Sequence, residues 1–222
     1  DLPTLVNAVS EIPKDFMIRV GMMNPMYMSR IKQELIESYD NEKVFKFLHI
    51  PVQSGSNKVL NDMKRGHTSE TFREIVKKTK DRFENFTIST DIIVGFPSET
   101  EEDFQKTLAL LDETKPDVVN LSKYSARPGT DAAELKQIDA AEIKRRSKII
   151  FEQINKISLE SNKKWIGWKG KVLFDENTEE GIKGRNYAYK PIAVQEKVRI
   201  GDSHVVEITD ATRKRLIGKI AS

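Results

Sequence analysis

The sequence predicts an α/β protein: a parallel sheet wound with helices, followed by a small all-β barrel. Three observations predict it. Short apolar runs alternate with amphipathic stretches four times between residues 16 and 124, the rhythm of strands joined by helical crossovers. From about Gly170 the texture changes to short β-rich runs punctuated by Gly181, Gly184, Gly201 and Gly218. Charge divides near the same place: residues 1–161 carry 24 Lys+Arg against 26 Asp+Glu, whereas 162–222 carry 13 against 8. Domains are therefore expected at 1–161 and 162–222. The basic excess of the second suggests a polyanionic partner, an ordinary solvated surface being the other reading.

Taken in order, Phe16–Gly21 reads as a strand and Met28–Tyr39 as a helix. Val44–Ile50 reads as a second strand closed by Pro51, followed by a helix at Lys58–Met63. A longer helix starts at Thr68 or Ser69, with Phe72, Ile75, Val76, Thr79 and Phe83 on one face. Phe86–Val94 is the third strand, ended by Gly95 and Pro97. Thr100 caps the next helix, where Glu101, Glu102 and Asp103 suit the positive end of the helix dipole. Its buried stripe is expected to be Phe104, Leu108 and Leu111, with Pro116 stopping it. Val118–Tyr124 is the fourth strand. Asp139 and Glu142 read as a capping box opening a helix that buries Ile143, Ile150, Ile154 and Ile157. In the tail, strands are expected at Lys171–Phe174, Tyr187–Val194, Lys197–Ile200, His204–Ile208 and Leu216–Ile220. Such short strands suit a barrel of the oligonucleotide-binding size.

Composition narrows the chemistry. With 222 residues and 38% hydrophobic content the chain can build a core, and its 32% charged content suits a soluble, cytoplasmic protein. It has no cysteine, which excludes within this chain a disulfide framework, a thiolate zinc site, a thiol nucleophile and a cysteine-held iron–sulfur cluster. No apolar run reaches membrane-spanning length, so no membrane partner is expected. The first residue, Asp1, reads as an internal position of a longer chain.

Function in a parallel sheet belongs at the C-terminal ends of the strands. The loops there read RVGMMNP, HIPVQSGS, TDIIVGFPSET and YSARPGT. Gln53 and Ser54 offer neutral donors and acceptors, Asp91 a carboxylate, and Arg127 a guanidinium suited to carboxylate or phosphate. Singly, each has a plain alternative: Gly95 and Pro97 as turn punctuation, Asp91 as a loop cap, Arg127 as a surface residue. Four such loops at successive strand ends together favour a small-ligand site. His49, His67 and His204 show no metal-ligand spacing, and His49 reads as a hydrogen-bonded supporting residue. The G-x-S-x-G elbow is absent around Ser54, which removes a hydrolase triad. GFPSET, before a helix N-terminus, also fits an unrelated phosphate-binding α/β enzyme.

HIPVQSGSNKVLNDMKRGHT, TDIIVGFPSETEEDF and YSARPGT resemble the later strand-end motifs of the radical S-adenosylmethionine (SAM) methylthiotransferases. The tail, with Gly-Arg-Asn at 184–186 and Gly-Asp at 201–202, resembles their RNA-binding TRAM domain. RVGMMNP and Leu48-His49 are closest to the archaeal and eukaryotic branch, which acts on N6-threonylcarbamoyladenosine beside the tRNA anticodon. The resemblance implies the last four βα units of a TIM-like radical SAM barrel, then an OB-like TRAM barrel. It implies SAM and 4Fe-4S clusters as cofactors, the cluster ligands lying in a missing N-terminal half, so that this fragment is inactive alone. Full-length, the enzyme would give the 2-methylthio derivative.

By matching motifs, Gln53 and Ser54 would hold the amino-acid end or ribose of SAM. Ile93, Gly95 and Phe96 would line the adenine region, with Asp91 in the same cofactor set, and Tyr124, Ser125 and Arg127 would form the far wall. In the tail, Lys169, Lys171, Lys183, Arg185, Lys190, Lys197 and Arg199 would meet phosphates of the tRNA anticodon stem-loop. Lys163 and Lys164 join this basic group. Tyr187 and Tyr189 would stack on unpaired bases, one of the two being core. Trp165 and Trp168 read as packing at the domain hinge. One position departs from the family: Ser98 stands where glycine is usual, and strain follows there if the loop needs a positive φ. A stand-alone RNA-binding protein with a βα scaffold is the alternative.

Overall fold

The computed structural model describes residues 1–179 and 181–221. Its first layer is built on a three-stranded parallel sheet, ordered β1 (Phe47–His49), β2 (Thr87–Val94), β3 (Val118–Lys123). Helices α2 (Pro25–Ser38), α3 (Asn57–Asp62), α4 (Ser69–Arg82), α5 (Glu101–Thr114) and α6 (Ala140–Lys163) connect and flank the strands. Leu48, Ile88, Ile92 and Val94 pack with Leu35, Phe72, Ile75, Phe104, Leu111 and Ile150 in one buried cluster. The local signals explain most of the boundaries. Thr68 caps α4, Thr100 and Asp103 form a reciprocal capping box on α5, and Asn24 with Pro25 starts α2.

Three expectations are corrected here, and one element is added. Phe16–Gly21 forms no strand among the described residues. It and the residue after it make only single parallel bridges, Ile18 to Val44, ahead of β1, and Met22 to His49 in β1. Leu2–Ser10, unassigned above, is a helix, α1, started by Asp1 accepting the Thr4 amide and by an early proline. Asp139 caps α6 through the Ala141 amide, but the Glu142 carboxylate turns to Arg145 and Arg146 instead of closing a capping box. The stripe of α5 buries Thr107 and Leu110 with Phe104 and Leu111, leaving Leu108 half-buried.

The second layer is a closed barrel of β4 (Lys169–Thr178), β5 (Gly181–Arg185), β6 (Pro191–Val194), β8 (Leu216–Ile220) and β7 (Ser203–Ala211), in that order around the ring. Its neighbours run antiparallel except β6 and β8. Closure removes the unpaired edges that so short a sheet would expose. Val172, Phe174, Ile182, Ile192, Val206 and Leu216 fill it, and Trp165 joins them from the end of the preceding helix. Gly181–Arg185 is a strand that its sequence hides, whereas Lys197–Ile200 alternates like a strand but stays outside the ladder. The charge division at residue 161 falls inside the last turn of α6, which runs on to Lys163.

The barrel docks beneath the N-terminal ends of the sheet strands. Asn186, buried, accepts the amides of Ala188 and Lys190 and so shapes a tight turn. Tyr189 takes a left-handed φ of 59° in that turn, a conformation that costs a non-glycine residue. The turn inserts into the first layer. Tyr189 meets Phe45 and Phe47 at 4.9 and 5.1 Å, under the Arg19 guanidinium. The Lys46 amide donates to the Tyr187 carbonyl. Lys190, only 2% exposed, donates to Asp117 at 2.8 Å, to Asn162 at 3.1 Å and to Ser161 at 3.2 Å. Asp117 also accepts from the Ile88 amide and the Ser161 hydroxyl. Burial works to raise the Asp117 pKa, but the Lys190 charge and these hydrogen bonds outweigh it and hold the carboxyl below its ordinary range. Among the described residues no helix is long and apolar enough to cross a membrane.

Removing one partner of a buried pair strands the other charge, so Asp117→Asn is expected to cost about 3 kcal/mol at neutral pH. A carboxyl with a depressed folded pKa stabilises above its unfolded value of about 3.9 and loses that contribution as pH falls through the lower folded value. Urea unfolding at pH 7 and at steps down to pH 2 checks both points. The native protein should lose more stability in acid than the variant does, and equal stability of the two at pH 7 would count against the pair.

Candidate functional site

The site is built from the C-terminal strand ends. Pro51 interrupts β1, and the Thr90 side chain spans the gap, donating to the Ile50 carbonyl and accepting from the Val52 amide. The chain then rejoins β2: the Gln53 amide donates to the Asp91 carbonyl, and Gln53 O accepts from Ile93. Gln53 pays for this path with a φ of 73°. Its side-chain amide has no hydrogen-bond partner among the described residues. Beneath it the two ring nitrogens of His67 face the Val52 and Arg65 carbonyls, and burial pulls the pKa of that ring down.

Ser54, expected to hold a cofactor, is fully buried. Its hydroxyl meets Thr107 at 3.3 Å and accepts from the Ser56 amide, so the structure gives it a seam instead of a ligand. The Ser56 hydroxyl donates to Asp103 at 2.6 Å, and the Gly55 amide to Thr107 at 2.9 Å. A Cβ on Gly55 would stand 2.4 Å from the Lys106 carbonyl oxygen, so only glycine lets the loop lie against α5. Burial raises the Asp103 pKa, yet hydrogen bonds from Ser56 and Thr100 hold it below the usual carboxylate range. The QSGS turn is thus fastened to the first turns of the helix after β2.

The loop after β2 closes on itself. Gly95 has a φ of 83°, and its amide donates to the Glu99 carboxylate at 2.9 Å. Arg146 of α6, also buried, donates to the Glu99 carboxylate at 2.8 Å and to its carbonyl at 3.0 Å. Burial pushes the Glu99 pKa up, the Gly95 amide and Arg146 opposing it. Neither Glu99 nor Arg146 stood out in the sequence; the acid inside GFPSET was the only signal. The Gly95 amide is taken, and Glu99, Glu101, Glu102 and Asp103 surround the start of α5. An anion has no seat there, which corrects the phosphate-binding alternative. Ser98 keeps an ordinary φ, so glycine is not needed, and its hydroxyl donates to Asp62.

The remaining members of the expected set spread along this rim. Phe96 is buried edge-on against Tyr124 at 5.2 Å, and Tyr124 extends β3 by donating its amide to the Val94 carbonyl. Ile93 is half-buried beside Gln53, while Ser125 and Arg127 lie exposed beyond Tyr124. Asp91 is engaged sideways, by His49 Nε2 at 2.9 Å and Asn120 Nδ2 at 2.7 Å. Sequence reading passed over Asn120 and gave His49 no carboxylate partner. For a metal or cluster the residues do not fit. The chain has no cysteine, and the described residues contain no group of three or more His, Cys, Asp or Glu placed to hold one.

On the barrel, Lys169, Lys171, Lys197 and Arg199 are exposed. Lys183 pairs with Glu176 at 2.5 Å. Three residues expected to meet RNA sit at the domain junction instead: Lys190 on Asp117, Tyr189 under Phe45 and Phe47, and Arg185 over the Tyr189 ring at 4.6 Å. Tyr187 is 37% exposed, next to Trp165 and Trp168.

The sequence profile of the Radical SAM superfamily matches residues 1–111. A protein of Archaeoglobus fulgidus named as a probable threonylcarbamoyladenosine tRNA methylthiotransferase is 47% identical over 225 residues, covering 100% of this chain and 52% of that protein. The threonylcarbamoyladenosine tRNA methylthiotransferase of Xenopus laevis is 41% identical over 188 residues, or 84% of this chain and 33% of that one. Among solved structures, coproporphyrinogen III oxidase of Escherichia coli, a radical SAM enzyme, is similar in fold. It aligns with a TM-score of 0.52 and 20% identity over 75% of this chain and 38% of that one. The chain spans about half the length of the curated relatives it matches.

The loop geometry has a direct test. A Cβ on Gly95 would stand 2.7 Å from Ile143 and would occupy a positive φ. Gly95→Ala is expected to cost about 2 kcal/mol from backbone strain and overpacking together. In urea melts, adding Ile143→Ala should make the Gly95→Ala change less costly than it is in the native background, leaving the backbone part. Strict additivity of the two changes would refute the contact.

Proposed function

Since the chain belongs to the Radical SAM superfamily, we propose that it is the C-terminal half of a threonylcarbamoyladenosine tRNA methylthiotransferase. In this reading residues 1–161 are the last part of a TIM-like radical SAM barrel and residues 162–222 a TRAM domain. One observation supports it above the others: the 47% identity to the Archaeoglobus fulgidus protein runs through the sheet layer and the barrel alike. The two layers therefore belong to one machine, and a stand-alone RNA-binding protein on an idle scaffold is the weaker reading. The clusters' ligands would come from the part of the relatives' length that this chain does not span, and the chain by itself is inert. Its setting would be cytoplasmic.

Bound SAM would supply a carbon-centred radical and a methyl group. This chain's share is to hold and orient it. Gln53 contributes an amide without a partner, Ile93 and Tyr124 contribute half-buried apolar surface, and the exposed Ser125 and Arg127 can close over a charged end. The buried seams at Ser54 and Glu99 keep those groups in place, as a site that must fix a reactive molecule requires. Phosphates of the tRNA anticodon arm would meet the exposed Lys169, Lys171, Lys197 and Arg199, with Lys163, Lys164 and the partly engaged Lys183 near them. Such contacts give affinity and little sequence choice. Tyr187 is the aromatic placed to stack on a base.

The activity is tested with the full-length protein, its clusters reconstituted without oxygen, incubated with SAM and tRNA carrying N6-threonylcarbamoyladenosine. Mass spectrometry of the digested nucleosides should show the 2-methylthio derivative. SAM cleavage without that product would overturn the proposal. For the RNA surface, Lys169→Glu with Lys171→Glu is expected to weaken tRNA binding at least tenfold and to flatten its salt dependence by about two phosphate contacts. Anisotropy titrations between 50 and 200 mM salt read both quantities (roughly the range over which such contacts respond). An unchanged slope would remove those lysines from the interface.

A further inference from the structure

Helices cover one face of the parallel sheet. The opposite face carries Phe47 and His49, then Ser89, Asp91 and Ile93, then Asn120 and Ser122, since side chains alternate along each strand. On it three polar groups are joined in a row across the strands. Asp91 Oδ1 accepts from His49 Nε2 at 2.9 Å and from Asn120 Nδ2 at 2.7 Å. A carboxylate only accepts, so Nε2 carries a hydrogen, and in the neutral ring Nδ1 then presents a lone pair. His49 Nδ1, Asp91 Oδ2 and Asn120 Oδ1 have no partner among the described residues, and none is sealed from solvent. The row thus faces outward with three acceptors against one remaining amide hydrogen of Asn120.

This row is held stiffly. Gln53 clamps the Asp91 and Ile93 backbone from the neighbouring strand, at the cost of its left-handed φ of 73°. His49 closes β1 at its C-terminal end, the side where such sheets place ligands, while Asp91 and Asn120 stand at mid-strand. A surface of fixed acceptors selects N–H donors and repels a group that presents its own lone pairs.

We propose that His49, Asp91 and Asn120 form the wall that reads the exocyclic N–H of the adenine base brought to this sheet. His49 Nδ1 accepts that hydrogen. Asp91 fixes the tautomer and Asn120 fixes Asp91, so these two are positioning residues. A guanine or hypoxanthine would turn a carbonyl oxygen toward the same lone pairs and be refused. The inference rests on the tRNA reading above and adds which residues choose the base.

The test uses the full-length protein with its clusters and two labelled anticodon stem-loops. One carries N6-threonylcarbamoyladenosine; the other carries its N6-methylated counterpart, which lacks the N–H. Native protein is expected to bind the first about tenfold more tightly, the effect of one lost hydrogen bond that leaves an acceptor bare. His49→Leu should bring the ratio below about threefold. His49→Gln, whose amide donates to Asp91 while its oxygen still accepts, should keep the native ratio, which a purely structural role for the ring would not explain. Equal binding of the two RNAs by native protein, or full discrimination by His49→Leu, overturns the inference alone. No binding of either RNA by native protein overturns the tRNA reading, and this inference with it.

Discussion

The buried pair between Lys190 and Asp117 governs how the rest of the molecule is assembled. Asp117 stands at the N-terminal end of β3 and also takes the amide that starts β2, so one carboxylate sets the lower rim of the sheet. Lys190 comes from a turn of the barrel, and its three donors are spent on Asp117, Ser161 and Asn162. Charges out of water must be fully partnered to be tolerated, and here they are. Asn162 then donates to the Thr212 carbonyl across the same junction. Tyr189 supplies the apolar half of the contact. A polar lock within an aromatic collar leaves the two layers little room to slide.

The upper rim obeys the same economy. Ser54, Ser56, Asp103 and Thr107 bond to one another inside a seam between a loop and a helix. Glu99 and Arg146 tie the next loop to α6. Of these groups Ser54 alone reads as ligand-binding chemistry in the sequence, and all of them act as carpentry in the fold. Under the proposed function, what they leave open to a ligand is the smaller set of Gln53, Ile93, Tyr124, Ser125 and Arg127. Rigidity at one end and exposed chemistry beside it is the arrangement expected of a site that positions a reactive cofactor.

Most of the layer order was legible because its signals are local. Thr68 and Thr100 announce their helices within three residues, and the apolar runs of β2 and β3 need no partner to be seen. What stayed hidden depends on distant chain. Ser54 is buried by Thr107, and Lys190 finds Asp117 across 73 residues. Neither has a spacing that could be recognised beforehand. Gly181–Arg185 is a strand despite two glycines and two basic residues, because its neighbours in the ring require one. Phe16–Gly21 shows the reverse: a persuasive apolar run that obtains only single bridges. At the site, the motif loops could be located but their side chains could not be sorted into structural and available. His49 illustrates the limit, since its carboxylate partner lies 42 residues on.

Docking the barrel under the N-terminal strand ends has a consequence of scale. The loops that would hold a ligand lie at the other end of β2, whose eight residues span about 26 Å at roughly 3.3 Å each. With a stiff junction, that separation acts as a caliper. Under the proposed function, an RNA gripped at the barrel offers a base to the far rim only if its own fold bridges the gap. A free nucleoside, or a strand too short to reach, meets one jaw and not the other. The molecule would then choose its substrate partly by length, a criterion that no single residue encodes.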